Sequence, residues 1–269
     1  MARENQNKGI LRSLQVKPSK SRGQNFLESP AALEKILDFA GIAKGARIIE
    51  IGPGLGVLTE DLVKIGGHVT AIEVQEEFCE RLREKFPTLN IIEESVLSVD
   101  FNQFESGAVL IGNLPYSLSS SILFHVLNYT EKFARAVFLL QKEFVERMYA
   151  DVDTSDYGVL TVMIQCRAEA IPGPIVSGDC FFPRTKVESQ VVELRFLPKE
   201  DFDYDWLHTV VHGAFHQRRK KIYNSMLATQ MFLPDRLQKA LEKCGIGLDS
   251  RPETVTISAY KQLAVELAD

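Results

Sequence analysis

Ala46-Arg47-Ile48-Ile49-Glu50-Ile51-Gly52-Pro53-Gly54-Leu55-Gly56 is the stretch on which the fold turns. Its first half is a short apolar run of the kind that makes a buried strand, and its second half sets three glycines into five residues. Leu58, Leu62 and Ile65 follow at helical spacing, so the whole reads as strand, glycine-rich turn, helix. Such a unit opens nucleotide-binding α/β domains, because a glycine turn lets a ligand approach the backbone closely. Here the glycines are spaced G-x-G-x-G rather than G-x-G-x-x-G, and Glu50 stands two residues before the first of them. A carboxylate in that place repels a pyrophosphate and favours an amino or sulfonium cation, which points to S-adenosylmethionine rather than a dinucleotide.

Working outward, His68 to Val74 reads as a second strand ending around Glu73, an acid placed to accept hydrogen bonds from ribose hydroxyls. A charged helix from Gln75 to Phe86 follows. Upstream, Ser29-Pro30 marks the start of a helix that carries Leu33, Ile36, Leu37 and Ala40 and stops at Gly41. Downstream, strands are expected at Asn90 to Ile92, Ala108 to Ile111 and Ala134 to Leu140, the last two separated by a helix bearing Ile122, Leu123, Val126 and Leu127. Gln141-Lys142-Glu143-Phe144 opens another helix. After the polar loop 151–156 come Tyr157-Gly158 and an apolar helix reaching Cys166. Two late strands, Ala168 to Val176 and Gln190 to Phe196, flank Phe181-Phe182-Pro183-Arg184-Thr185-Lys186-Val187, a loop at the sheet edge that can set an aromatic opposite Tyr116. Phe182 itself reads as core.

The strand Ala108 to Ile111 runs into Asn113-Leu114-Pro115-Tyr116 and then a serine-rich helix start at Ser117 to Ser121. An Asn side chain and a backbone carbonyl are both acceptors, suited to the two N–H groups of an exocyclic amine. Pro115 pushes Leu114 into an extended conformation, so its carbonyl can point out of the chain's path. Tyr116 adds a flat face beside the acceptors. A planar amino-bearing base, most simply adenine, fits this arrangement; an ordinary Pro-containing turn at a strand end is the plain alternative.

With 269 residues the chain has room for one α/β domain of roughly 200 residues and a small appendage. Hydrophobic residues at 45% and charged residues at 25% exclude a disordered or fibrous protein. No apolar run is long enough to span a membrane, and the first twenty residues lack the apolar segment of a secretion signal, so a cytoplasmic protein is expected. Cys79, Cys166, Cys180 and Cys244 form no C-x-x-C pair, which argues against a metal site or a disulfide framework. The formal charge is −5, yet two segments are locally basic: residues 1–22, with Arg3, Lys8, Arg12, Lys17, Lys20 and Arg22, and the run Arg218-Arg219-Lys220-Lys221. Two such patches on an acidic chain suit a face that tracks nucleic-acid phosphates, although a solvated surface is the usual fate of a charge run. The polar linker Pro198 to Asp205 separates an expected first domain, 1–198, from 199–269. In the latter, apolar stripes at Trp206 to Phe215, Ile222 to Leu227, Leu237 to Leu241 and Ile257 to Ala268 make a small all-helical domain.

Over essentially its full length the chain resembles the small-subunit ribosomal RNA adenine N6,N6-dimethyltransferases. The matching stretches are Gly23-Gln24-Asn25-Phe26-Leu27, Glu50 to Gly56, Glu73, Asn113 to Tyr116, Gln141-Lys142-Glu143, Tyr157-Gly158, Phe181 to Ser189, Phe215 to Lys220 and Arg251-Pro252-Glu253. The resemblance implies a Rossmann-like class I methyltransferase sheet with helices on both faces and a C-terminal helical domain. It implies methylation of two adjacent adenosines near the 3′ end of small-subunit rRNA by a monomer acting on a ribosomal assembly intermediate. Asn25, Leu27, Glu50, Gly52, Gly54, Glu73, Ser95 and Asn113 would then line the cofactor. Asn113, Leu114, Tyr116 and Phe181 would surround the target base, and the 218–221 run would meet RNA. No metal is implied.

Two departures stand out. Ser95 replaces the Asp the family usually carries beside the cofactor's adenine, with Glu94 adjacent, and Thr185 replaces the second proline of the Phe181 to Ser189 loop. A large-subunit rRNA methyltransferase conferring antibiotic resistance shares the cofactor half, but the Phe215 to Lys220 and Arg251 to Glu253 segments favour the small-subunit reading. A non-catalytic nucleic-acid-binding relative is disfavoured by the intact acceptor and glycine motifs, and a small-molecule methyltransferase by the basic segments.

Overall fold

The computed structural model describes residues 4–18, 23–201 and 203–268. Arg3, Lys20 and Arg22 of the basic N-terminal segment lie outside them. The chain divides into two compact units, Met1–Val145 with Glu169–Phe196, and Glu146–Ala168 with Leu197–Asp269.

The first unit opens with helix α1 (Glu4–Ser13), a two-residue strand β1 (Phe26–Leu27) and helix α2 (Pro30–Ala40). Local chemistry sets the limits of α2: Ser29 Oγ accepts from Ala32 N at 3.2 Å, Pro30 takes the first turn, and Gly41 closes it at φ 49°. Then come β2 (Arg47–Ile51), α3 (Val57–Lys64), β3 (His68–Glu73), α4 (Glu76–Lys85), β4 (Asn90–Glu93), β5 (Ala108–Asn113), α5 (Ser119–Leu127) and β6 (Phe133–Gln141). Helices α6 (Lys142–Met148) and α7 (Val159–Gln165) precede the last three strands, β7 (Ala168–Val176), β8 (Phe181–Phe182) and β9 (Ser189–Phe196).

Seven strands make one sheet in the order β4-β3-β2-β5-β6-β9-β7, and β1 pairs separately with β8. The pairs from β4 to β6 are parallel, while β9 runs antiparallel to β6. Chain order reverses between β2 and β5. Ligands of open α/β sheets sit at such a switch point, outside the carboxyl ends of the strands. The central strands are buried on both faces and accordingly read as near-continuous Ile, Val and Leu. Leu33, Ile36 and Ala40 of α2 pack on Ile48, Ile111, Val137 and Val191 of the sheet. A second cluster joins Leu11 of α1 to Phe26, Leu55 and Phe78, so the glycine loop is wedged from outside by the N-terminal helix.

The second unit holds α8 (Tyr204–Phe215), α9 (Ile222–Leu227), α10 (Pro234–Lys243) and α11 (Ile257–Leu267). The crossing near residue 197 falls beside the boundary expected at 198, but 146–168, expected with the first domain, clusters with these helices. The reason lies in α7, whose residues Leu160 to Ile164 are all buried. Tyr204 of α8 donates its hydroxyl to Met163 O at 2.6 Å, and Tyr157 donates to Val255 O at 2.9 Å. A helix apolar on every side needs such a surround, and sequence distance gives no hint of it. Among the described residues no helix is long and apolar enough to cross a membrane.

Candidate active site

The carboxyl ends of β2, β3 and β5 open into one cavity. Its wall includes Asn25, Leu27, Glu50, Gly52, Gly54, Glu73, Glu94, Ser95, Asn113, Leu114 and Tyr116. Eleven positions scattered between 25 and 116 therefore converge, because parallel strands bring their C-terminal ends to one edge.

Gly52 and Gly54 adopt φ of +68° and +54°, left-handed values that side chains disfavour. At Gly52 a Cβ would meet nothing within 4 Å, so bare backbone faces open space there. Glu73 is held by backbone rather than by a cation: Val74 N and Gln75 N donate to Oε1 at 2.9 and 3.0 Å, and Gly54 N donates to Oε2 at 3.1 Å. Burial pushes its carboxyl above the usual range, against the pull of those three donors. Glu73 thus clamps the glycine loop to the end of β3. Glu50 is 2% exposed and accepts from Thr59 Oγ1 at 2.7 Å. Desolvation, with the Glu73 charge adding to it, drives its carboxyl up to about 8. The sequence reading treats Glu50 as a standing anion; in the free protein at neutral pH it is mostly protonated, and its charge becomes favourable when a cation enters the cavity.

Asn113 ends β5 and donates Nδ2–H to Asn25 O at 2.9 Å. That bond fixes the amide's orientation, leaving Oδ1 as a free acceptor. Leu114 N donates to Leu139 O at 3.2 Å, while no described group donates to the Leu114 carbonyl. Two acceptors on adjacent residues are thereby left for a ligand amine. Tyr116 is half-buried beside them, its hydroxyl 2.6 Å from Ser189 Oγ; burial raises the phenol, and the Ser189 bond opposes that shift. Leu27 lies on the wall and its carbonyl accepts from Asn7 Nδ2 at 3.3 Å. Ser95 Oγ accepts from Leu97 N at 3.3 Å and caps a short 3-10 turn at the rim, with Glu94 exposed beside it.

Phe181 is placed otherwise than expected. It pairs with Leu27 across β1 and β8, is 1% exposed, and packs in the core with Ile36 and Val191 rather than on the cavity wall. Alternation along the strand sends Phe182 the other way, against the cluster of Leu11, Phe26 and Leu55. What the 181–189 loop brings opposite Tyr116 is the Ser189 hydroxyl and not an aromatic ring. Sequence inspection also passes over Asn25's carbonyl, Thr59 and Asn7; of these only Thr59, a polar residue on the inner face of α3, leaves a sequence signal.

A seven-stranded sheet with an antiparallel β9 beside β6, a glycine loop after β2, an acid ending β3 and an amine-accepting motif ending β5 define a class I S-adenosylmethionine-dependent methyltransferase. Residues 16–269 match the family model described as ribosomal RNA adenine dimethylase. The chain is 36% identical over 250 residues to the ribosomal RNA small subunit methyltransferase A of Idiomarina loihiensis, covering 90% of this chain and 85% of that one. It is 34% identical over 267 residues to the enzyme of that name from Clostridium acetobutylicum, covering 96% of each. Among solved structures, a dimethyladenosine transferase from Plasmodium falciparum superposes with a TM-score of 0.74 at 24% identity, over 90% of this chain and 97% of that one. The 23S rRNA methyltransferase ErmE superposes with a TM-score of 0.63 at 24% identity, over 91% and 100%. The chain belongs to the ribosomal RNA adenine dimethylase family.

Proposed function

We propose that the enzyme dimethylates N6 of two adjacent adenosines near the 3′ end of small-subunit rRNA, working as a cytoplasmic monomer on a ribosomal assembly intermediate. The observation that carries this reading is the Asn113 amide, whose Nδ2–H is taken by Asn25 O so that Oδ1 is left to accept, followed directly in the chain by a Leu114 carbonyl to which no described group donates.

The cavity suits S-adenosylmethionine: bare backbone at Gly52, Glu73 for ribose hydroxyls, and Glu50 as a buried counter-charge for the amino-acid end. When bound, it supplies an electrophilic methyl group. Asn25 and Leu27 add to the cavity wall. The adenine amine is a weak nucleophile, since its lone pair is delocalised into the ring. Asn113 Oδ1 and Leu114 O accept its two N–H bonds, draw the nitrogen toward tetrahedral geometry and stabilise the positive charge that develops. The methyl group would come from the bound cofactor, and the surplus amine proton would pass to water without a dedicated base. Tyr116 stacks on the base, a contact worth roughly 1–3 kcal/mol. Comparing modified nucleotides by mass spectrometry in rRNA from cells with and without the gene tests the whole reading; unchanged adenosines would overturn it.

The basic run divides under structural inspection. Arg218 Nη2 donates to Ser155 O at 2.6 Å and Tyr157 O at 3.0 Å, tying the 155–157 segment to the turn that follows α8, and Lys221 is ion-paired with Asp249. Arg219 and Lys220 are exposed and have no ion-pair partner among the described residues. Replacing Arg219 and Lys220 by Ala should therefore weaken RNA-particle binding and flatten the dependence of log affinity on log salt by about one unit per lost contact. Arg218→Ala should instead lower the melting temperature. An unchanged salt slope in the double variant would show a merely solvated face.

At the rim, Ser95→Asp keeps a capping oxygen for Leu97 N and adds a second, charged acceptor for the cofactor's adenine amine. Cofactor binding should tighten by about 1–2 kcal/mol, roughly five- to thirty-fold. Calorimetry on this variant and on Glu94→Gln separates the two side chains: no gain in the first with a loss in the second assigns the contact to Glu94.

A further inference from the structure

The far end of Tyr116 meets Ser189, a residue with no part in the chemistry above. The Ser189 hydroxyl lies 2.6 Å from Tyr116 Oη and the residue is wholly buried, although it opens a strand directly after a polar loop. Sheet register puts it there. Asn113 of β5 stands opposite Leu139 of β6, and Ser189 of β9 stands opposite Gln141, two residues further along that same strand. Two strand residues span roughly 6.6–6.8 Å, comparable to the reach of a phenol side chain. Its neighbour Glu188 is held in place as well: Lys142 N donates to Glu188 O at 3.0 Å and Lys142 Nζ reaches its carboxylate at 3.2 Å. This gives a structural purpose to Gln141-Lys142-Glu143, a stretch with no evident chemistry of its own.

The near end of Tyr116 is fixed independently. Leu118 N and Ser119 Oγ both donate to Pro115 O, at 3.0 and 3.1 Å, which locks the turn that carries the tyrosine. A ring anchored only at its Cα would have to be ordered when a base arrives, whereas one bonded at both ends is ordered beforehand. We infer that Ser189 is a positioning residue, which through the Tyr116 hydroxyl sets the plane on which the target adenine stacks and so aims its amine at Asn113 Oδ1 and Leu114 O. This rests on the reading of Tyr116 as the base platform.

Steady-state kinetics on unmethylated small-subunit particles test it, using Ser189→Ala, Tyr116→Phe and the double variant, with cofactor affinity and melting temperature measured alongside. Each single change removes the same bond, so each should lower kcat about tenfold, and the double should be no worse than either. Cofactor affinity should not move. Wild-type kcat in Ser189→Ala, multiplied losses in the double, or a loss of cofactor affinity in step with a fall in melting temperature would each overturn the assignment. Should Ser189→Ala fail to fold, Tyr116→Phe, which leaves β9 intact, decides: unchanged kcat overturns it. Tyr116→Ala separates the two levels. Full activity there removes the platform itself, while an inactive Tyr116→Ala beside a normal Ser189→Ala removes only the positioning role.

Discussion

Asn113→Ala should lower methyl transfer by about two to three orders of magnitude while leaving affinity for the RNA particle within about twofold. The substitution deletes one of two acceptors for the amine and also releases Asn25 O, which the Asn113 amide otherwise caps at 2.9 Å. Asn113→Asp separates these effects. It restores an acceptor but has no N–H for Asn25 O, so its orientation is lost and its charge faces a carbonyl; it should remain at least roughly tenfold impaired. Asn113 also lies on the wall of the cavity proposed for the cofactor, so cofactor affinity is measured in parallel and the loss in kcat should exceed any loss there. Near-normal turnover of Asn113→Ala would sink the proposed mechanism.

The second large effect belongs to Glu50. Its carboxyl titrates at about 8, driven by burial and then by the Glu73 charge, with Thr59 supplying the opposing hydrogen bond. A cation bound beside it favours the ionised form, so binding at neutral pH expels a proton. Cofactor affinity should therefore climb with pH, by up to tenfold per unit below about 8, and level off above. Calorimetry at pH 7 in buffers of different ionisation enthalpy should register that proton. Glu50→Gln should abolish the pH dependence and weaken binding by roughly 30- to 150-fold, about 2–3 kcal/mol, since one partner of a buried charge pair is gone. The free protein should show the reverse. A carboxyl raised in the folded state from 4.5 toward 8 costs no stability below pH 4.5, costs progressively more as pH rises, and costs its full amount above about 8. Unliganded Glu50→Gln should thus melt above wild type at pH 9 and converge with it toward pH 5. A pH-independent affinity in wild type would remove Glu50 from the cofactor site.

The two substitutions act on features of different legibility. Glu50, Gly52, Gly54 and Glu73 could be placed from the chain alone, because a strand that ends in a glycine turn and a second strand that ends in an acid have fixed sequence spacings and a fixed topology. The same holds for Asn113 and Leu114, where Pro115 dictates backbone direction locally. The limits of α2 were readable for the same reason: Ser29, Pro30 and Gly41 act on backbone groups within one turn of themselves.

Register and burial were not readable. The basic run at 218–221 looks uniform in sequence, yet Arg218 is spent on carbonyls some sixty residues upstream and Lys221 on Asp249, because a guanidinium near unpaired carbonyls satisfies them before it meets solvent. Phe181 has the composition of a stacking residue but sits on the inward side of β8, and only its pairing with Leu27 decides which side that is. Glu50's protonation likewise depends on how completely the sheet and α3 exclude water, and the Tyr116–Ser189 bond on a count of residues along β6 that belongs to neither partner. The sequence by itself determined most of the elements and the motifs at their ends, since those follow from chemistry within a few positions of each. Which side chains face the cavity, which charges stay exposed and unpaired and which hydroxyl bonds that of the tyrosine were decided by the tertiary structure alone, because each depends on contacts between segments that only strand pairing and helix packing bring together.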